Sequence, residues 1–428
     1  MSDGNAPVSK RAFHGRSVQL QRLCTAITDC HHSTPSWTES GQIVVRSENI
    51  KRGKISLKDP SYTDQASFKE RISRSVPEPG DLIVTREAPM GEVGMIPTGV
   101  QCCLGQRLVL VKPDPSRIDR HYLLYAMQSE FVQKQIGASD ETGSTVSNLR
   151  IPALRELEIP LLARAEEIGA VLAALDAKID LNNRINAELE ALAKTIYDYW
   201  FVQFDFPDAH GRPYKSSGGA MVWNDTLKRE IPMGWKAQPL SELGSFRNGI
   251  NYDPSIGGDS VARIVNVRNV SATSIFLNSD DLDELELDQA DIDKYLVTAD
   301  SILIARSGIP GATRMMQPCP TNTIYCGFII CLKVANAENK LLLFFRLKQL
   351  EQSLLSQSSG SILKNVSQDT LKDISLAVPR ERSVIEKFNA AIAPLFEKIS
   401  ANNLENVELT QLRDWLLPLL MNGQVRVA

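Results

Sequence analysis

The 428-residue chain is poor in the residue types that carry most enzyme chemistry. Its five histidines (His14, His31, His32, His121, His210) fit no zinc-ligand spacing, although His31 and His32 adjoin Cys30. Seven cysteines, an odd number without a CxxC pair, exclude a disulfide framework and suit reduced thiols in a cytoplasm. No apolar run approaches the roughly 18 residues of a membrane span, and the longest, YCGFIICL at 325–332, reads as a buried strand. The opening MSDGNAPVSKRAFHGR has no apolar core segment, so no secretory signal is expected. There is no G-x-x-x-x-G-K-[ST] loop for an ATP-driven motor, and no strand followed by a G-x-G-x-x-G turn for a nucleotide-like cofactor. A G-x-S-x-G elbow is absent, and no pair of carboxylates is placed for acid and base work. Tyr252-Asp253-Pro254-Ser255 echoes the Asn/Asp-Pro-Pro-aromatic signature of amino-methyltransferases, but lacks its second proline and aromatic and reads as a turn. A large basic excess is missing too, the formal net charge being −4. Charge is uneven, however. Residues 280–293 (DDLDELELDQADID) hold eight carboxylates and no base, whereas 44–58 carry five bases against one acid, so a local electrostatic footprint remains open.

What is present is a long-period repeat. The length suits two domains plus connecting structure, and sliding the chain against itself by about 220 residues aligns most of it. Leu20 and Leu23 fall on Leu240 and Leu243, and IVVRSENI (43–50) falls on RIVNVRNV (263–270), so that Asn49 meets Asn269. GDLIVTREAPMG (80–91) meets ADSILIARSGIPG (299–311), with Arg86 on Arg306 and Gly91 on Gly311. ETGSTVSNLRIPALRELEIP (141–160) meets SSGSILKNVSQDTLKDISLAVP (358–379), with Ser144 on Ser361 and Asn148 on Asn365. Alternating Val/Ile-rich stretches (IVVR, LIVT, RLVLV; RIVNV, SILIA, FIICL) read as strands separated by Gly/Pro/Asn/Ser turns. HYLLYAMQSEFVQKQI (121–136) and LLLFFRLKQLEQSLL (341–355) read as one amphipathic helix in each copy. Each copy is thus an α+β globule of about 160 residues followed by a long helix.

The helices are repeated as well. KIDLNNRINAEL (178–189) and KISANNLENVEL (398–409) agree at seven of twelve positions. In the first, Ile168, Leu172, Leu175, Ile179, Leu189 and Ile196 recur at steps of three and four, a coiled-coil seam whose missing positions are Asn182 and Asn186. In the second the seam is Phe388, Ile392, Leu395, Ile399, Leu409 and Leu416, with Asn402 and Asn406 in the polar slots. Pro394 predicts a kink or a late start there. Asparagines on a solvated face would give the same pattern, but buried in a seam they fix register, because a slipped pairing strands an amide. Two matching seams in one chain pair most simply with each other, antiparallel.

Two such globules, each followed by a long helix, resemble the DNA-specificity subunit of Type I restriction–modification enzymes. LNNRINAELEALAKTIYDYWFVQFDFP (181–207) is similar to that family's central helix and exit, and LTQLRDWLLPLLMNGQVRV (409–427) to its C-terminal ending. GDLIVTREAPMGEVG and GSTVSNLRIPALRELEIPL resemble motifs of its target-recognition domains. Two features depart from the pattern, the polar lead at 1–16 and Cys102-Cys103. The resemblance implies target-recognition domains at 1–160 and 204–379, with spacer helices at 161–203 and 380–428. It implies a non-catalytic subunit that recognises a bipartite, asymmetric double-stranded DNA sequence and carries two methyltransferase subunits, with restriction/motor subunits in the full complex. S-adenosylmethionine, ATP and Mg would sit on those partners and no cofactor or metal on this chain, which would be cytoplasmic and off the membrane. A two-domain protein-binding scaffold is the alternative reading, and a fused restriction–methylation enzyme a lesser one. A 38-residue helix would span about 57 Å, on the order of one and a half turns of B-DNA.

DNA contact needs cations for phosphates and Arg, Asn, Gln or Lys at base edges. Loop positions matched in both copies are the candidates. Arg86 and Arg306 each end a strand, where an arginine serves DNA or pairs with a nearby carboxylate. Ser144 and Asn148, matched by Ser361, Lys364 and Asn365, sit in a polar loop suited to phosphate contact or to helix capping. Arg46, Asn49, Lys51, Arg52 and Lys54 form a basic segment in the first copy. Arg247, Asn248, Asn251, Tyr252, Arg268 and Asn269 are the corresponding offer of the second, and the acidic 280–293 run is expected to face away from phosphates.

Overall fold

The computed structural model describes residues 15–139, 148–252, 257–271, 274–316, 320–357 and 365–427. Two compact units divide the chain: Met1–Asp180 with Asn406–Ala428, and Leu181–Glu405.

In the first unit, the alternating apolar stretches form an antiparallel sheet in the order Cys24–Asp29, Leu108–Pro113, Leu82–Thr85, Val93–Met95. A second sheet runs Cys102–Leu104, Gln42–Val45, Ser61–Thr63, Trp37–Thr38, its first pair parallel. Ser17–Gln19 pairs with Glu158–Pro160 and closes the unit. Leu82–Thr85 is buried along its whole length, which explains why it reads as a continuous apolar run rather than an alternating one.

The second unit repeats this wiring. Gly244–Asn248, Ile329–Val334, Ser301–Ala305 and Thr313–Met316 follow one another antiparallel in one sheet, with Phe276–Leu277 added parallel to the last. Thr323–Tyr325 lies parallel to Ser260–Val265, as 102–104 lies to 42–45, and Trp235–Pro239 pairs with Ser375–Pro379. The acidic run becomes a strand, Asp283–Leu287, antiparallel to Ser260–Val265. Registers correspond: Asp29 faces Val109 and Val109 faces Val84, while Asn248 faces Ile330 and Ile330 faces Ile304. The fold is therefore α+β and duplicated, and each copy leads into a long helix, Ala165–Tyr197 and Arg382–Met421.

Several local expectations need correction. The 121–136 segment is two helices, Arg120–Gln128 and Glu130–Ala138, because Ser129 adopts an extended backbone and caps the second at Val132 N–H. Its counterpart is one helix, Lys340–Gln357. The apolar 325–332 run is not one strand, since the chain turns a corner at 326–328 between Thr323–Tyr325 and Ile329–Val334. Pro394 does not interrupt its helix. Pro394 and Ala390, four residues earlier, both lie on the exposed face, so the carbonyl deprived of a donor can be solvated.

The helices pair within each unit. In the second, Ile385, Phe388, Ile392, Phe396 and Ile399 are buried together with Ala193 and Tyr197. The buried seam thus runs through Phe396, and Leu395 is only half-buried. In the first, Ile168 and Leu172 pack in one core with Leu420 and Met421.

Candidate nucleic-acid interface

Three of the four seam asparagines are buried: Asn182, Asn186 and Asn402. Asn402 Nδ2 donates to Asn186 Oδ1 at 2.8 Å, Asn186 Nδ2 to Asn403 Oδ1 at 2.9 Å, and Asn182 Nδ2 to Glu405 at 2.8 Å. The pairing order is antiparallel, because the lower-numbered asparagine faces the higher-numbered partner. Asn402 Oδ1 is buried without a partner. Asn406 is half-buried. The first unit holds an ionic equivalent that its sequence did not reveal. Arg413 Nη1 lies 2.7 Å from Asp176, whose second oxygen accepts from the Tyr125 hydroxyl at 2.6 Å.

Among the candidates for DNA contact, the structure separates side chains that are already engaged from those that are not. Asn49 and Asn269 are buried caps: Asn49 Oδ1 accepts from Arg46 N–H at 2.7 Å, and Asn269 Oδ1 from Asn266 N–H at 2.8 Å. Their correspondence across 220 residues is thus a repeated cap. Arg268 is tied to the acidic strand at Asp283, 2.5 Å away, and Asn269 donates to the Asp281 carbonyl at 3.0 Å. Lys54 reaches back to Asp180 at 2.6 Å and Asp176 at 3.5 Å on the long helix. Lys51 and Arg52 stay exposed at the tip of a two-residue hairpin between Ile50–Lys51 and Lys54–Ile55. That turn needs positive φ at both positions, and Arg52 (47°) and Gly53 (85°) supply it. Arg46 is exposed, pairs with Glu48 at 2.8 Å and lies over the Trp37 ring at 5.6 Å. Arg247 is exposed and donates to the Lys294 carbonyl at 2.7 Å; Asn251 is exposed and Tyr252 half-buried. Ser144, Ser361, Lys364 and the 253–255 turn lie outside the described residues.

The two matched arginines differ most. Arg86 takes the carboxylate alternative: Nη1 meets both Asp29 oxygens at 3.1 Å, Nε donates to the Leu149 carbonyl at 3.1 Å, and Nη2 to Asn148 Oδ1 at 3.2 Å. Asn148 donates in turn to Glu87 at 2.8 Å, and Glu87 pairs with Arg107 at 3.0 Å. Arg306 holds the same backbone place, since its N–H donates to the Phe328 carbonyl as that of Arg86 does to Arg107, and its carbonyl accepts from Val366 as that of Arg86 does from Leu149. Its guanidinium donates to the Gly327 carbonyl at 3.1 Å, while Nε is buried without an acceptor. Among the described residues no carboxylate pairs with it.

Sequence reasoning missed Asp29, Glu87, Arg107 and Phe328. The first three become visible only when strand register brings Asp29 beside Arg86. Phe328, 61% exposed, was hidden inside an apolar run that looked like core. Both long helices also carry exposed apolar side chains, Val171, Leu412 and Trp415 in the first unit and Leu181, Leu192 and Leu404 in the second, and Tyr199 is exposed just beyond the end of the first helix. Among the described residues no helix is long and apolar enough to cross a membrane.

With this geometry in view, comparison with known proteins gives one answer. Residues 36–191 match the family described as Type I restriction modification DNA specificity domain. The Type I restriction enzyme MjaIX specificity subunit of Methanocaldococcus jannaschii is 26% identical over 383 residues, covering 87% of this chain and 83% of that one. The Type I restriction enzyme HindI specificity subunit of Haemophilus influenzae is 25% identical over 322 residues, 63% and 69% of the two chains. A crystal structure of a Type I restriction–modification S subunit from M. genitalium shares the fold, with a TM-score of 0.54 at 16% identity over 96% of this chain and 97% of that chain. This chain is similar to Type I specificity subunits over most of its length and shares the fold of one of them.

Proposed function

We propose that this chain is the DNA-binding specificity subunit of a Type I restriction–modification complex, reading a bipartite, asymmetric double-stranded DNA sequence. The observation that carries the reading is the duplication: one sheet wiring occurs twice, in one register, with an arginine at the same strand end of each copy. Residues 1–160 and 204–379 act as the two target-recognition domains, and 161–203 and 380–428 as spacer helices. Lys51, Arg52, Arg247, Asn251, Arg306 and Asn365 are the side chains left with groups to offer a duplex. Two methyltransferase subunits dock along the helices, for which the exposed Trp415, Leu412 and Val171 of one unit and Leu192, Tyr199 and Leu404 of the other offer apolar area. Restriction/motor subunits join that assembly in the cytoplasm. Chemistry belongs to those partners, with S-adenosylmethionine, ATP and Mg, and this chain supplies specificity.

The test is binding of the chain together with its methyltransferase subunit to a duplex chosen by methylome sequencing of the source cell. Tight binding that weakens steeply with salt is expected; failure to enrich any duplex from a random pool defeats the reading. A separate experiment addresses the spacer. Inserting four residues at matched places in both long helices lengthens each by about 6 Å, and the methylated motif should gain one or two base pairs of spacer. An unchanged spacer would remove the helices from that role.

A further inference from the structure

The strand-end corners of the two units are the same construction with different charges. In the first unit five positions close on one another: Asp29, Arg86, Glu87, Arg107 and Asn148 form one continuous set of ion pairs and hydrogen bonds. Register and backbone hydrogen bonds put Asn248, Arg306, Ser307, Phe328 and Asn365 at the same five places in the second unit. Both carboxylates have been replaced by neutral groups, and the exposed cation Arg107 by an exposed phenyl ring. Formal charge at the corner accordingly rises from zero to +1.

The orphaned atoms show that this cation is not satisfied from within. Nε of Arg306 is buried without an acceptor, and Oδ1 of Asn248 is buried without a donor. A buried guanidinium nitrogen without an acceptor costs roughly what a lost charged hydrogen bond costs, and among the described residues no carboxylate balances the charge on this arginine. The corner is open to such a partner: Phe328 is 61% exposed, and Asn251 and Asn365 are exposed as well. Gly327 allows the approach to be this tight, because a Cβ there would stand 1.9 Å from Asn251 Oδ1.

We propose, resting on the DNA reading above, that Arg306 receives a backbone phosphate of the second half-site with Phe328 packed against the neighbouring deoxyribose, while the equivalent corner of the first unit is closed by its own carboxylates and takes none. A phosphate balances the guanidinium charge of Arg306 as the Asp29 carboxylate balances that of Arg86. Asn248 is then the positioning neighbour: by being neutral it leaves the arginine free for phosphate, whereas an aspartate there would capture it.

The test uses the chain with its methyltransferase subunit and the methylome-chosen duplex, titrated over a range of KCl. Wild-type binding must be present; its absence would be a failure of the functional reading and not of this inference. Arg306→Gln should weaken binding about tenfold and lower the steepness of the salt dependence by about one ion. Asn248→Asp should do the same while the melting temperature stays level or rises, since the new carboxylate satisfies the arginine internally. Phe328→Ser should weaken binding with no change in salt slope, and Arg86→Gln should leave the slope unchanged. The inference is overturned if Arg306→Gln and Asn248→Asp keep the wild-type slope, or if Arg86→Gln lowers the slope as much as Arg306→Gln does. Because an added carboxylate repels phosphate by itself, Asn248→Asp is also made in the Arg306→Gln protein: capture of the arginine predicts no further fall in slope there, and an equal fall in both backgrounds overturns the inference.

Discussion

The amide seam makes a prediction in which the sign depends on how many residues are changed. Asn402 and Asn186 are both buried and share one bond, from Asn402 Nδ2 to Asn186 Oδ1 at 2.8 Å, while Asn402 Oδ1 has no partner. Replacing Asn186 by leucine strands both Asn402 Nδ2 and Asn403 Oδ1, at about 1–3 kcal/mol each, against about 1.5–3 kcal/mol from the buried leucine, so it should destabilise. Replacing Asn402 strands Asn186 Oδ1 at a similar cost, but it also removes the oxygen that is already orphaned and buries a leucine worth about 1.5–3 kcal/mol. That single change should therefore lie near neutral. The double replacement strands only Asn403 Oδ1, at about 1–3 kcal/mol, and buries two leucines worth about 3–6 kcal/mol together, so it should exceed the wild type by about 1–3 kcal/mol. Non-additivity of at least about 2 kcal/mol follows, read as urea or thermal midpoints of the four proteins, where 1 kcal/mol corresponds to roughly 2–4 °C for a unit of this size. Specificity should move the other way. With the amides gone a slipped seam is no longer penalised, and the methylome of a strain carrying the double variant should contain motifs with more than one spacer length. Effects that add to within about 0.5 kcal/mol would refute the pairing, and a single unchanged spacer would refute its role as a register lock.

Three further outcomes are expected. Gly91 and Gly311 have φ of 84° and 83°, and a Cβ on either would stand 2.8 Å from Ile136 or Leu354 respectively; alanine at either position should lower stability by about 1–3 kcal/mol, and an unchanged melting temperature would show that the turn relaxes freely. Asp176 serves Arg413, Tyr125 and Lys54 at once, so Asp176→Ala should cost about 3–5 kcal/mol in the denaturation midpoint, and a loss below 1 kcal/mol would mean that the cluster behaves as a surface pair. Burial pushes the Cys102 and Cys103 thiols up from 9.0 to about 12 and about 11; a raised folded value keeps the full stability below pH 9 and loses it as the unfolded chain's thiols ionise between pH 9 and about 12, so the urea midpoint should fall across that window, and alkylation of these two thiols in the folded protein at the rate of a free cysteine would contradict the burial.

Periodicity and self-alignment carried the fold a long way. Strands such as Leu82–Thr85 and Ser301–Ala305 are apolar along their whole length, and the helices repeat one seam, so both signals are local and survive in a linear reading. The candidate site was legible only as a set of matched positions. What Arg86 does is decided by Asp29, 57 residues away and two strands over, and no local pattern announces that register. Matching likewise misleads where the shared need is structural, as with Asn49 and Asn269, which recur because the same turn must be capped twice. The break at Ser129 and the unbroken helix at Pro394 escape a linear reading for a related reason: each residue acts through the backbone hydrogen bond it makes or omits, and whether that matters depends on its surroundings.

Duplication and asymmetry are then two requirements met by different parts of the chain. The sheet wiring, the closing strand pair and the glycine turn after the arginine are held in common because they set backbone geometry, and backbone geometry does not need to know which sequence is being read. The polar atoms at the strand ends are not held in common, and two units identical there would offer the same chemistry twice, which suits a repeated half-site. The two corners here are matched in backbone and unequal in charge. Changing Asp29 to its counterpart Asn248, and Glu87 to Ser307, is enough to convert a closed ion-pair set into an open cation without moving a strand. On the reading proposed here, the grip on the DNA backbone is made unequal between the units by removing internal partners from one of them, a change that costs little packing because both corners lie at the ends of sheets whose cores are already filled.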